Sequence, residues 1–211
     1  MTLISVFQGK RCALLVSDLQ VQFVAPGKPP QLLIVTKFRR LPNGDYLAYN
    51  GRLNSDEYSV LMQKPLETLI AEPLAADPRF RTDQPMAMFY AQRSTAQLYA
   101  GDLHTPLFPL LRGQPMCSAD EGVHSQRLVA LTSRFLQSHQ NYHRDALREL
   151  SEEYRAYYLG AEAMTTSFGG FESYLLYPGK FKRIDRAVSK LRGNLEAHVD
   201  TAGAIHFPDT S

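Results

Sequence analysis

Cysteine is scarce in this chain. Cys12 and Cys117 are the two present, far apart and outside any CxxC pair. That argues against a disulfide framework and against a cysteine-based zinc site. No apolar run approaches the roughly 18 residues that a bilayer-spanning helix needs, so no membrane partner is expected. The opening MTLISVFQGKR places its charges after a very short apolar run. It does not read as a secretory leader, and the expected location is cytoplasmic. Low-complexity segments and internal repeats are missing as well.

Motifs with a specific chemistry are also lacking. There is no nucleophile elbow, no paired-carboxylate signature and no Rossmann fingerprint. Ser167-Phe168-Gly169-Gly170 lacks the lysine and the strand–loop–helix setting of a phosphate loop. His139 and His143 have the i, i+4 spacing of helical zinc ligands, but Gln140 stands where HExxH has glutamate. No metal and no cofactor are therefore expected, and the absence of motifs weighs against an enzyme.

What the chain does have is a long helical stretch. Val123–Leu159 contains neither glycine nor proline, and Gly160 follows it. Leu128, Leu131, Phe135, Tyr142, Ala146, Leu150, Tyr154 and Tyr157 recur at the three-, four- and seven-residue spacing of one helix face. Ser138–Asn141 is its most polar part and richest in poor helix formers. One long helix or two joined at that point both fit.

The first hundred residues read mainly as strands. Arg11–Val24 ends in period-2 alternation through Leu19, Val21 and Phe23. QLLIVTKFR at 31–39 is rich in branched and aromatic residues. Pro42-Asn43-Gly44-Asp45 then predicts a type I′ hairpin turn, with Tyr46–Tyr49 returning. Asn54 or Ser55 is placed to cap a helix running toward Ala76, interrupted at Pro65 and Pro73. Met86–Gln92 and Ala96–Ala100 form a second hairpin.

The expected fold is α+β. A mostly antiparallel sheet or small barrel with one helix, OB-like in element order, occupies 1–110. A linker at 111–122 and a helical region at 123–195 follow, then a loose tail at 196–211. Within the helical region, Lys180–Arg192 reads as a helix, with Phe181, Ile184, Ala187, Val188 and Leu191 on one arc and cations on the other.

Formal net charge is +2, from 23 basic and 21 acidic residues, and says nothing about partners. Its distribution says more. Lys182, Arg183, Arg186 and Lys190 form a cationic row suited to phosphates. Lys37, Arg39 and Arg40 lie among Phe38, Tyr46 and Tyr49, a mixture that suits single-stranded nucleic acid. The ordinary readings are solvated faces and, for the first row, pairing with the acidic stretch at 149–162. The leading expectation is a non-catalytic accessory or regulatory protein that binds nucleic acid through these seven cations. Next comes a protein-interaction module, or self-association, using the long helix and the group Tyr154, Tyr157, Tyr158, Tyr174 and Tyr177. A metal-dependent hydrolase using His139 and His143 is a distant third.

Overall fold

The computed structural model describes residues 3–23, 31–83, 85–118, 122–139, 143–160, 169–188, 195–199 and 205–206. Two five-stranded antiparallel sheets lie face to face, and helices cover both outer faces. Sheet I has the order β10-β1-β2-β11-β12, from β1 (Ile4–Gln8), β2 (Ala13–Asp18), β10 (Pro115–Ser118), β11 (Gly170–Tyr177) and β12 (Lys180–Val188). Sheet II is a meander of β5 (Arg39–Arg40), β6 (Tyr46–Asn50), β7 (Ala87–Gln92), β8 (Gln97–Asp102) and β9 (Phe108–Pro109). A small sheet joins β3 (Gln20–Phe23), β4 (Gln31–Ile34) and β13 (Leu195–Glu196), and a short ladder pairs β14 (His198–Val199) with β15 (Ile205–His206).

Three apolar layers hold this stack together. Ile4, Val6, Ala13, Leu15, Phe89, Leu98 and Leu176 fill the space between the sheets. On the outer side of sheet I, Phe7, Leu14, Val16, Phe171 and Leu175 meet Leu128, Leu147, Leu150, Tyr154 and Tyr158. These last five come from α3 (Gly122–Ser138) and α4 (Arg144–Leu159). On the outer side of sheet II, Met88 and Tyr90 meet Tyr58, Leu61, Leu66 and Leu69. They belong to α1 (Ser55–Gln63) and α2 (Leu66–Ala71), which precede a short 3-10 turn at Leu74–Ala76. Successive strand residues point to opposite faces. Strands covered on both faces therefore read as unbroken apolar runs, as in CALLV and MAMFYA, instead of alternating.

This architecture corrects the expected division into a β-rich N-terminal part and a helical C-terminal part. Residues 170–188 are a β-hairpin, and β11 pairs with β2 along Phe171↔Asp18 to Leu176↔Ala13. The Lys180–Arg192 helix is thus a strand as far as Val188. Its apolar residues fall on a helical arc, but Pro178-Gly179, with Gly179 at φ +80°, folds it back on β11. Ladder pairing outweighs that coincidence of spacing. The small-barrel and OB-like expectation fails for the same reason: the strands form two stacked sheets with helical outer layers. The stretch read as a linker contains β10, which pairs with β1.

Several local expectations hold. The long helical stretch is two helices, with α3 ending at Ser138 and α4 starting at Arg144. Asn54 caps α1 through its side chain and forms a capping box with Glu57. Pro65 and Pro73 occupy the cap positions of α2 and the 3-10 turn, where a missing N–H costs nothing. The first hairpin differs in turn type. Gly44 N–H bonds Leu41 O at 2.9 Å, and Gly44 alone of the turn residues has positive φ, at +85°. Pro42 presets a type I turn, and Gly44 supplies the left-handed residue that closes it.

Candidate functional site

Three charged residues, Asp18, Lys37 and Glu172, are almost wholly buried at one end of sheet I. Asp18 is the last residue of β2. Its Oδ1 accepts the Leu3 N–H at 2.7 Å, and its own N–H bonds Leu3 O at 3.0 Å. The opening of β1 is thereby clamped to this carboxylate. Asp18 Oδ2 accepts the Gln20 N–H at 3.1 Å and lies 3.7 Å from Lys37 Nζ. The same ammonium donates to Gln20 O in a short hydrogen bond.

Lys37 follows β4 in an irregular segment, and Glu172 fixes that segment. Glu172 Oε1 accepts the Lys37 N–H at 3.1 Å and Ser17 Oγ–H at 3.3 Å; Oε2 accepts Thr36 Oγ1–H at 3.1 Å and Tyr174 O–H at 2.9 Å. Glu172 sits in register with Ser17 on one side and Arg186 on the other. Gly170 opens β11 beside it. Its φ is +136°, and any Cβ there would collide with Ala187 O, so only glycine fits.

Burial governs the charges at this end. It pushes Asp18 up to about 6, partly opposed by the Lys37 ammonium and two backbone N–H groups. Burial also lowers Lys37, with Asp18 opposing the shift, and raises Glu172 against the hydrogen bonds from Tyr174, Lys37 N–H and Thr36 and the Arg186 charge. Removing ions from water is expensive, and these groups recover the loss only through mutual contact and full hydrogen bonding. Gln20 is buried too, and its Oε1 has no hydrogen-bond partner among the described residues. On the helix side of Leu3, Tyr158 O–H reaches Leu3 O at 3.5 Å, and Ser5 Oγ lies 3.5 Å from the same hydroxyl.

The expected nucleic-acid residues take quite different positions. Lys37 is a buried partner of Asp18, not an edge cation. Arg39 is half-buried, and Arg40 is exposed. Lys182 and Arg183 are exposed on β12, whereas Arg186 is half-buried opposite Glu172. Lys190 lies outside the described residues. Arg40 and Lys182 do come together, in an open cleft at the far end of sheet I. Across α4 and β12 the described ion pair is Arg155–Asp185 at 3.2 Å, the reverse of the expected polarity. His139 donates or accepts at Phe135 O and Glu149 Oε2, 3.0 and 3.1 Å away, and stacks on the Phe135 ring. His143 caps α4.

Sequence reasoning passed over Asp18 and Glu172. A signal was present in both cases: each acid interrupts an apolar run, LLVSDL and FESYLL, where a solvated charge does not belong.

No known protein family's model matches the chain. A stretch of 97 residues, 44% of the chain, is 33% identical to the immunoglobulin-like domain-containing receptor 1 of Mus musculus. The match spans 18% of that receptor's length. An immunoglobulin sandwich consists of two bare sheets, often joined by a disulfide; here helices cover both outer faces, and Cys12 and Cys117 are free thiols. No helix among the described residues is long and apolar enough to cross a membrane.

Proposed function

We propose that this chain hydrolyses amide bonds, with the Thr2 hydroxyl as nucleophile once cleavage of the Met1–Thr2 bond gives Thr2 a free α-amino group. The observation that carries this reading is the Leu3 N–H bond to Asp18, itself within reach of the buried Lys37. Thr2 immediately precedes Leu3 in the chain.

A threonine hydroxyl is a weak nucleophile at its ordinary pKa, and a free amine on the same residue can serve as its base. The amine takes the hydroxyl proton as Oγ attacks the amide carbon. The proton then passes to the leaving nitrogen as the C–N bond breaks, which leaves an ester on Thr2. Water, activated by the same amine, cleaves the ester and releases the carboxylic acid. Lys37 supplies positive charge beside the developing alkoxide. Asp18 orients Lys37 and anchors Leu3 at the opening of β1, and Glu172 fixes the 36–37 segment.

The test is hydrolysis of a panel of fluorogenic peptide amides, with the amino terminus determined by mass spectrometry. Wild type is expected to lack Met1 and to turn over. Thr2→Ala should abolish turnover, and Thr2→Ser, which keeps the hydroxyl, should retain it. Equal turnover by wild type and Thr2→Ala would sink the proposal.

A second reading, contact with a protein partner, is supported by the local likeness to an immunoglobulin-like receptor. Under that reading the contact is independent of Thr2, and Thr2→Ala leaves it intact in a co-sedimentation assay.

A further inference from the structure

At the end of sheet I opposite Asp18, three hairpin turns converge. They are the turn around Gly44 between β5 and β6, the one at Arg93 between β7 and β8, and Pro178-Gly179 between β11 and β12. Arg93 ties them together. Its backbone N–H bonds Asp45 Oδ1 at 2.8 Å, its O accepts the Gly179 N–H at 2.8 Å, and its guanidinium donates to Gly179 O at 3.0 Å. Asp45 is also bonded to Tyr90 O–H and to Asn43.

Between the turns lies a cleft of about 460 Å3, within the size range of small-ligand sites. Arg40, Arg93, Lys180 and Lys182 line it, and no carboxylate does. None of the four makes an ion pair with a described carboxylate. Tyr46 and Phe181 form its wall, stacked at 3.7 Å between ring centres. That stack continues to Tyr174 at 4.7 Å, fixing the edge of sheet I against the edge of sheet II.

Charged residues on an edge strand commonly block unwanted strand pairing, and Lys180 and Lys182 on β12 suit that role. Arg93 does not: it sits in a turn, and its guanidinium is held in place by a backbone carbonyl. Arg40 comes from the other sheet. Four cations delivered by three separate hairpins, none in a described ion pair and one held by a backbone carbonyl, need another explanation.

We propose that this cleft binds a compact polyphosphate, as the free anion or as the phosphate tail of a nucleotide. Two guanidinium forks and two ammonium groups are the usual recognition set for phosphate oxygens. Two linked phosphates carry roughly three to four negative charges, which matches the lining. A nucleic-acid strand fits less well. Such a strand needs a track of cations along its backbone. Lys37 is buried and Arg39 and Arg186 are half-buried, so Arg40, Lys180 and Lys182 converge with Arg93 on one cleft, and among the described residues of the expected row Arg183 alone stays exposed outside it. The site lies at the opposite end of the sheet from Asp18 and does not rest on the hydrolase reading.

Isothermal titration with inorganic tripolyphosphate tests this. One saturable site is expected, with affinity falling steeply as salt rises from about 50 to 200 mM. Arg40→Glu combined with Lys182→Glu should weaken binding at least tenfold with an unchanged melting temperature. Arg134→Glu, on the exposed face of α3, should bind like wild type. A nucleoside triphosphate that competes more strongly than tripolyphosphate assigns the nucleotide as the source, and equal competition assigns the free anion. Three results would overturn the proposal: no saturable binding, a double variant that binds like wild type, or binding of a short single-stranded oligonucleotide that tripolyphosphate fails to displace.

Discussion

Sheet I carries charge at both ends, and the surroundings treat that charge in opposite ways. At the Leu3 end, Asp18, Lys37 and Glu172 are buried, mutually bonded and shifted toward their neutral forms. At the turn end, Arg40, Lys180 and Lys182 are exposed. Lys37 and Arg40 are three residues apart, yet one sits beside a buried carboxylate and the other faces solvent. What separates them is the hydrogen bonding of the 36–37 segment to Glu172. A cation's sequence neighbours do not settle what it does; the element that packs over it does.

The largest predicted effect lies at the buried end. Asp18→Ala leaves Lys37 without its counter-ion, and breaking a buried pair on one side costs about 3–5 kcal/mol. Asp18→Leu with Lys37→Met removes both charges and should be far less destabilised than either single variant. Under the proposed hydrolase reading that double variant should be folded yet fail to cleave peptide amides, separating stability from the proposed chemistry. Urea denaturation alongside the peptide-amide assay measures both.

A second prediction uses pH to set a desolvated carboxylate, Asp18, against a guanidinium-paired one, Glu57. Folded Asp18 keeps its proton up to about 6, whereas the unfolded chain releases it near 3.8. Between these values the folded state binds more protons, so the Asp18 contribution to stability falls as pH rises. Glu57 behaves in the reverse sense. The Arg81 guanidinium and two backbone N–H groups hold it down to about 2, so its contribution is full above about 4.5 and is lost as pH falls toward 2. Denaturation curves for Asp18→Asn should lack the decline across pH 4–6, and those for Arg81→Ala should lack the loss below pH 4.5.

Smaller effects belong to the surface. Asn54→Ala removes the side-chain cap of α1 and should cost about 1 kcal/mol by thermal melting. Lys182→Ala at the turn end should shift stability by no more than about 0.5 kcal/mol, because no described carboxylate pairs with it.

Much of the outer covering was legible in the sequence. Asn54, the two prolines and the polar break after Ser138 mark helix ends by local chemistry, and local chemistry is what sequence carries best. The Leu150 and Tyr154 stripe was legible as a buried face, but not as the cover of a sheet. The last hairpin was not legible, because Phe181, Ile184 and Val188 fit a helical arc as readily as a strand. Only the free edge of β11 decides between them. The buried site was hidden for a related reason. Asp18, Lys37 and Glu172 are far apart in the chain and meet through ladder pairing, so no spacing rule links them.

The most direct test of the account is the chemical state of the amino terminus after reaction with an activated peptide ester, read by mass spectrometry of the terminal fragment. The account predicts loss of Met1 and one acyl group on Thr2, with labelling strongly reduced in Lys37→Met and absent in Thr2→Ala. Retention of Met1, or labelling unaffected by Thr2→Ala, would contradict it.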